Sequence, residues 1–234
     1  MTIPPIDAPH GAYRERPIEL AKTALLSVDM QNAEFNHDML LRSRVAGSDL
    51  AHKNDFFERM AAVVIPNQVR LQRAARTAGI EVVFTVIESR TQDGRDRSLD
   101  HKISGIHVPK GSGDAQVIDA VKPEGDEIII PKTSSSVFNS TNIEYVFRNL
   151  GVEYLIVYGV ITDQCVESAV RDAADKGFLV TQIEDCCAAD TSLNHVRSIE
   201  SMRGHYCRTR TTDQMIAEID QLAKRGLDPR KISR

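Results

Sequence analysis

The chain lacks most of the features that settle a protein's class at once. No run approaches the ~18 apolar residues of a membrane span. The opening stretch MTIPPIDAPHGAYRERPIEL carries no apolar signal-peptide core. Basic charge is not in excess: 29 Lys and Arg stand against 33 Asp and Glu, a net charge of −4. A nucleic-acid surface or a membrane partner is therefore not expected, and a cytoplasmic location is. Cysteine is scarce, at 4 residues. There is no Cys-x-x-Cys, which argues against disulfide exchange. A bridge between the adjacent Cys186 and Cys187 would be strained, and a chain of this length needs no staples. Internal repeats, linkers and low-complexity tracts are missing too. What is present is 234 residues of ordinary globular composition, 41% hydrophobic and 26% charged. That length allows one or two domains, and the want of a linker favours one. The division expected is an arm over 1–22, loose or packed on a neighbour, and a domain over 23–234.

Patterning along the chain predicts strands at 23–29, 80–87, 127–132, 154–160 and 178–183, with a short sixth at 206–209. Helices are expected between them. The one over 53–78 should be kinked or divided by Pro66, and Gly79 should end it. A short helix is expected at 117–121. Thr141 with Glu144 suggests a capping box for a helix running to Leu150. Further helices are read at 163–176, 191–203 and 212–224. The charged stretch 88–112 reads as a long loop, a length usually kept for function. Strands alternating with helices predict a single-domain α/β fold, a Rossmann-like three-layer sandwich with a mainly parallel six-stranded sheet.

Such sheets gather ligands at the carboxyl ends of their strands. Three reactive residue types fall there. Asp29 follows Leu25-Leu26-Ser27-Val28, Lys132 follows Ile128-Ile129-Ile130-Pro131, and Cys165 lies just past Val157-Tyr158-Gly159-Val160. An Asp, a Lys and a Cys brought together make a nucleophilic site. Helix N-termini favour a thiolate, and a nearby Lys132 would add to this. Asp29 is suited to accept the thiol proton and return it to a leaving amine. Taken one at a time, each has an ordinary reading as well: a buried small hydrophobe, a turn cap, a solvated lysine.

The segments Leu25 to Asn32, Pro131-Lys132 and Gly159 to Val166, taken in order, resemble the motifs of the isochorismatase-like cysteine hydrolases. That superfamily includes isochorismatases, nicotinamidases, N-carbamoylsarcosine amidase and ureidoacrylate, biuret and triuret amidohydrolases. The resemblance covers nearly all of the chain from Thr23 onward. It implies Asp29 as general base, Lys132 as electrostatic partner and Cys165 as the nucleophile of an acyl-enzyme. It also implies a cis peptide at Val160-Ile161, with the backbone N–H groups of Ile161 and Cys165 forming an oxyanion hole. Homodimers or homotetramers are common among the relatives.

Within that superfamily, a cysteine nucleophile points to amide or ureide hydrolysis rather than vinyl-ether cleavage. Nicotinamidases hold a metal through Asp-x-His at the end of the second strand. Here that place reads Ile87-Glu88-Ser89-Arg90, so neither a metal nor a cofactor is expected, although His101 and His107 follow on the loop. His37, His52, His195 and His205 read as surface or satisfied core residues. Glu88 is placed to accept N–H groups of a ureide or amide, or else to pair with Arg90. Phe35 and Phe138, with Asn139, match substrate-wall positions, and flat ureides stack well on rings. Arg95, Arg97 and Lys102 are loop cations able to meet a carboxylate. The reading is a metal-independent amidohydrolase of a small ureide or carbamoyl substrate. A nicotinamide-like or maleamate-like amidase stays open, as does a non-catalytic binding protein on the same scaffold. Cys186, Cys187 and Cys207 are read as reduced, structural residues.

Overall fold

Branched apolar runs become strands because they fill a sheet that is covered on both faces. The computed structural model describes residues 13–35 and 54–226. Residues 1–12 of the arm, the first residue of the helix expected at 53–78, and His37 and His52 lie outside them. Six strands form one sheet in the order β3-β2-β1-β4-β5-β6. They are β1 (Thr23–Val28), β2 (Glu81–Ile87), β3 (Ile128–Lys132), β4 (Tyr154–Val160), β5 (Leu179–Ala188) and β6 (Cys207–Arg210). Every neighbouring pair is parallel. β1 and β4 are buried along their whole length. Strand order reverses between them, and this is where parallel α/β sheets open a crevice.

Helix α1 comprises Asn54–Arg59, a wide turn Met60–Val64, and Ile65–Thr77. Pro66 does not divide it. A proline ring inside a regular helix collides with the carbonyl four residues back. The wide turn just before it, in which Ile65 N–H donates to Met60 O, makes the room. α1 packs on α7 (Thr212–Gly226), and both lie against β5. The other helices are α2 (Leu99–Ile103), α3 (Val137–Ser140), α4 (Ile143–Asn149), α5 (a wide turn Thr162–Val166 continued by Glu167–Asp175) and α6 (Ser192–Met202). α3, α5 and α6 pack in succession, with α4 against α3. The three-layer α/β architecture expected from patterning is the one observed.

Several local readings are corrected. Val117 joins an antiparallel bridge with Gln31, and only Asp119–Val121 form a single tight turn. No capping box forms at Thr141. α3 ends at Ser140, the Thr141 hydroxyl donates to Val137 O, and Glu144 pairs instead with Lys176 at 2.7 Å. β5 continues past Ile183 to Ala188 through a bulge, its register with β4 shifting from Val157–Gln182 to Gly159–Cys187. Asp185 then accepts the Thr212 N–H at 2.8 Å, at the start of α7. Residues 13–22 lie on their own chain: Ile18 is buried, and its N–H donates to Glu218 at 3.0 Å. All four cysteines are buried free thiols.

Gly159, at φ +134°, lies against β1 so closely that a Cβ would sit 2.1 Å from Val28 O. Gly159→Ala should therefore destabilise the fold by on the order of 3 kcal/mol or more. Urea denaturation should show a lower midpoint at unchanged slope.

Candidate active site

Asp29 is the first residue past β1. Its backbone is left-handed (φ +53°), and its N–H donates to Thr85 O at 3.0 Å. Aspartate tolerates this conformation better than most residues. The bend turns its carboxylate over the end of β2. Lys132 closes β3, two strands away, in register with Ile87 of β2. Its side chain crosses above β2 and is fully buried. An ammonium has three N–H donors and no acceptor. Here it donates to Ser134 O at 2.8 Å and Cys165 Sγ at 3.4 Å, and forms an ion pair with Asp29 Oδ2 at 2.8 Å. Cys165 sits in the wide turn that follows β4, where Val166 N–H reaches back to Ile161 O at 3.3 Å. The Asp29 carboxylate also takes the Thr85 hydroxyl on Oδ1 at 2.9 Å, and its charge acts on the Cys165 thiol. The three residues expected from the strand ends are thus brought into one contact group.

The charges are arranged in a way the sequence does not show. Burial works against the Lys132 ammonium, but Asp29 and Cys165 more than offset it and hold its pKa above the ordinary value. For Cys165, burial is the largest influence and raises the thiol pKa. Lys132 pulls it down, Asp29 pushes it up, and the net result lies well above the usual thiol range. Burial thus outweighs the help that the helix start and Lys132 give a thiolate. The positive charge of Lys132 is already balanced by Asp29, and burial favours the protonated thiol. The group can present a sulfur nucleophile with a proton acceptor attached.

The surroundings divide the other candidates. Phe35 lies in an apolar cluster with Met30, Phe56, Val160, Ile161 and Ala189, its ring 6.3 Å from that of Phe56. The Val160-Ile161 peptide is cis. Glu88, half-buried just past β2, accepts the Gly111 N–H at 2.8 Å, so one of its oxygens holds the loop. Phe138 is part of the core cluster that also holds Cys165. Its ring packs in the core with Phe147 and Phe178, at 6.5 and 6.0 Å, and Asn139 on the same short helix is exposed. The loop cations serve the loop itself: Arg95 pairs with Asp93, Lys102 donates to Arg95 O, and Arg97 donates to Gly94 O and Ile106 O. Among the described residues, no three His, Cys, Asp or Glu side chains cluster so as to hold a metal ion.

Patterning missed two supporting groups, Thr85 and Gln31, while a third, His195, is the satisfied core residue that was one of its expected readings. Thr85 is hidden inside an apolar strand. Gln31 extends the β1–β2 pairing with its side chain, which donates to Ile87 O at 3.0 Å and accepts the Ile87 N–H at 2.5 Å. His195 bridges Arg59 Nη2 on Nε2 at 3.0 Å and Thr162 Oγ1 on Nδ1 at 2.9 Å. An arginine only donates, so Nε2 must accept and Nδ1 must carry the proton toward Thr162. Burial, and then Arg59, lower the His195 pKa to about 4, keeping the ring neutral.

A family profile for the isochorismatase domain matches residues 23–214. The chain belongs to the isochorismatase family. It is 30% identical over 196 residues to ureidoacrylate amidohydrolase RutB of Rhizobium rhizogenes, covering 74% of this chain and 73% of that protein. It is 32% identical over 204 residues to a probable inactive nicotinamidase of Arabidopsis thaliana, covering 84% and 96%. A cysteine hydrolase from Pseudomonas syringae pv. phaseolicola shares the fold at TM-score 0.71 and 23% identity, covering 89% and 97%.

Two predictions follow from the buried charges. Lys132→Met leaves Asp29 buried without its counter-charge and should cost about 3–5 kcal/mol in urea unfolding, much of it recovered in the double variant with Asp29→Asn. Cys165 and Lys132 both have folded pKa values raised above their ordinary 9.0 and 10.5. Their contribution to stability is full below those values and is lost as pH rises past them. The unfolding free energy should fall above about pH 9, and less steeply in Cys165→Ala than in the wild type.

Proposed function

We propose that this chain is a metal-independent amidohydrolase that cleaves a C–N bond of a small ureide or carbamoyl substrate through Cys165. The observation that carries the reading is the buried contact group of Asp29, Lys132 and Cys165 at the carboxyl edge of the sheet, with Lys132 at 2.8 Å from the carboxylate and 3.4 Å from the sulfur. As Sγ attacks the substrate carbonyl carbon, Asp29 accepts the thiol proton. The carbonyl oxygen becomes an oxyanion, held by the N–H groups of Ile161 and Cys165. Collapse breaks the C–N bond, and Asp29 returns the proton to the departing nitrogen as ammonia or amine. Water, deprotonated by Asp29, then attacks the carbonyl carbon of the S-acyl intermediate. The C–S bond breaks and the thiol regains its proton. Lys132 stabilises whichever of Asp29 and Cys165 is negative at each stage.

The ureide class is supported by the relation to a ureidoacrylate amidohydrolase and by the missing Asp-x-His at the end of β2. The Phe35 aromatic cluster gives a flat substrate a wall, and Glu88 keeps an oxygen for its N–H groups. We also propose that the protein works in the cytoplasm as a homodimer or homotetramer. The exposed Leu99 and Ile103 of α2 and Ile129 of the edge strand β3 supply apolar surface for such an assembly.

Purified protein should release ammonia from biuret or a related ureide, with no change on adding a chelator. Cys165→Ser should lower the rate by at least about 10³-fold. Full activity in that variant would overturn the mechanism. Turnover of nicotinamide with none of any ureide would move the assignment to the amide class.

A further inference from the structure

Two histidines are buried near the active site, and they are built differently. His195 has a partner on each ring nitrogen. His101 is completely buried, yet neither Nδ1 nor Nε2 has a partner. An unmet polar atom in an enclosed site costs about 1–3 kcal/mol, so an imidazole with both nitrogens open is poorly explained as packing. It lies on α2, whose Leu99 and Ile103 are 72% and 77% exposed, so the helix turns its other side inward. Ser98 caps α2, its Oγ accepting the His101 N–H at 3.1 Å. The Ser98 N–H in turn donates to Thr133 O at 2.9 Å, on the residue after Lys132. The ring is thereby anchored beside the Lys132 end of the catalytic group. Burial, then the charge of Lys132, lower its pKa to about 4, with Asp29 acting in the opposite sense. At neutral pH it is an uncharged imidazole with one donor and one acceptor, free to take either tautomer.

We propose that His101 is a substrate-contacting residue that hydrogen-bonds the uncharged far half of a ureide, the part beyond the carbonyl under attack. This rests on the ureide reading above. A ureide carries both N–H and C=O groups there, and a neutral imidazole matches either. A plain amide offers it nothing.

The test compares wild type, His101→Leu, His101→Asn and His101→Gln for ammonia release from biuret and from propionamide, which has no far polar group. Alkylation of Cys165 by iodoacetamide reports whether the catalytic group is intact. On biuret, His101→Leu should raise KM at least about tenfold with kcat within about threefold, the equivalent of one lost hydrogen bond. His101→Asn or His101→Gln should recover part of it. Propionamide kinetics and the alkylation rate should not move. An unchanged KM for biuret would overturn the contact while leaving the ureide reading in place. So would a parallel fall of kcat and alkylation rate in all three variants, which is the mark of a structural role. A wild type that turns over propionamide and not biuret would overturn the ureide reading and the contact with it. If His101→Leu does not fold, the two polar variants decide: a KM for biuret equal in both to the wild type, together with slower alkylation, sinks the proposal.

Discussion

The buried pair of Asp29 and Lys132 is the interaction on which the rest of the site depends. Neither charge is exposed at the protein surface, with side-chain exposures of 1% and 0%. Removing two ions from water costs several kcal/mol each unless their attraction and their hydrogen bonds are both well met. Here the ammonium is ion-paired with the carboxylate and donates to Ser134 O and Cys165 Sγ, while the carboxylate also takes the Thr85 hydroxyl. The pair also ties together strand ends that are not neighbours. Lys132 reaches from the edge strand β3 across β2 to the end of β1, and its bond to Cys165 Sγ fixes the turn after β4. A longer, planar guanidinium would not converge on these three groups in so small a space.

That convergence requires the backbone to come close. β4 approaches β1 where Gly159 lies against the Val28 carbonyl, and no side chain fits there. One residue on, Asp29 takes a left-handed bend. The β5 bulge beside them lets Glu184 and Cys187 offer their carbonyls to Arg59, at 3.1 and 2.9 Å. Arg59 in turn meets His195, and His195 holds Thr162 at the head of the cysteine turn. The turn is thus braced from the thiol side by Lys132 and from the far side by a neutral histidine.

Asp29, Lys132 and Cys165 were legible in the sequence because each ends an apolar run, and a parallel sheet brings such ends to one edge. The six strands were legible for the same reason, since buried parallel strands read as unbroken apolar segments. That same burial hid Thr85. On a strand covered on both faces, alternation no longer separates a residue that serves the site from one that fills the core. Whether Phe138 and Asn139 reach the site turns on the rotation of α3, where Ser136 accepts the Asn139 N–H at 3.3 Å. Proximity to Lys132 in the chain says nothing of that rotation. Pro66 marked an irregularity, but not its form, as a wide turn is a feature of the backbone that residue types do not announce. The protonation of Cys165 was out of reach, because it is decided by burial and by two opposite charges a few ångströms away.

The protonated resting thiol has a consequence for the proposed chemistry. Before proton transfer the group holds one carboxylate, one ammonium and a neutral thiol. Afterwards it would hold a carboxylic acid, the ammonium and a thiolate. The net charge is zero in both states. A buried site of low polarity strongly resists a change in net charge, but resists far less a negative charge that moves from one partner to the next. Lys132 touches both atoms between which that charge would move, at 2.8 and 3.4 Å, and so has no need to reorganise as it does. The same burial that raises the thiol pKa therefore does not block the attack. In the proposed mechanism it would tie formation of the nucleophile to proton transfer within the group, so that a reactive thiolate would arise as the carbonyl is engaged.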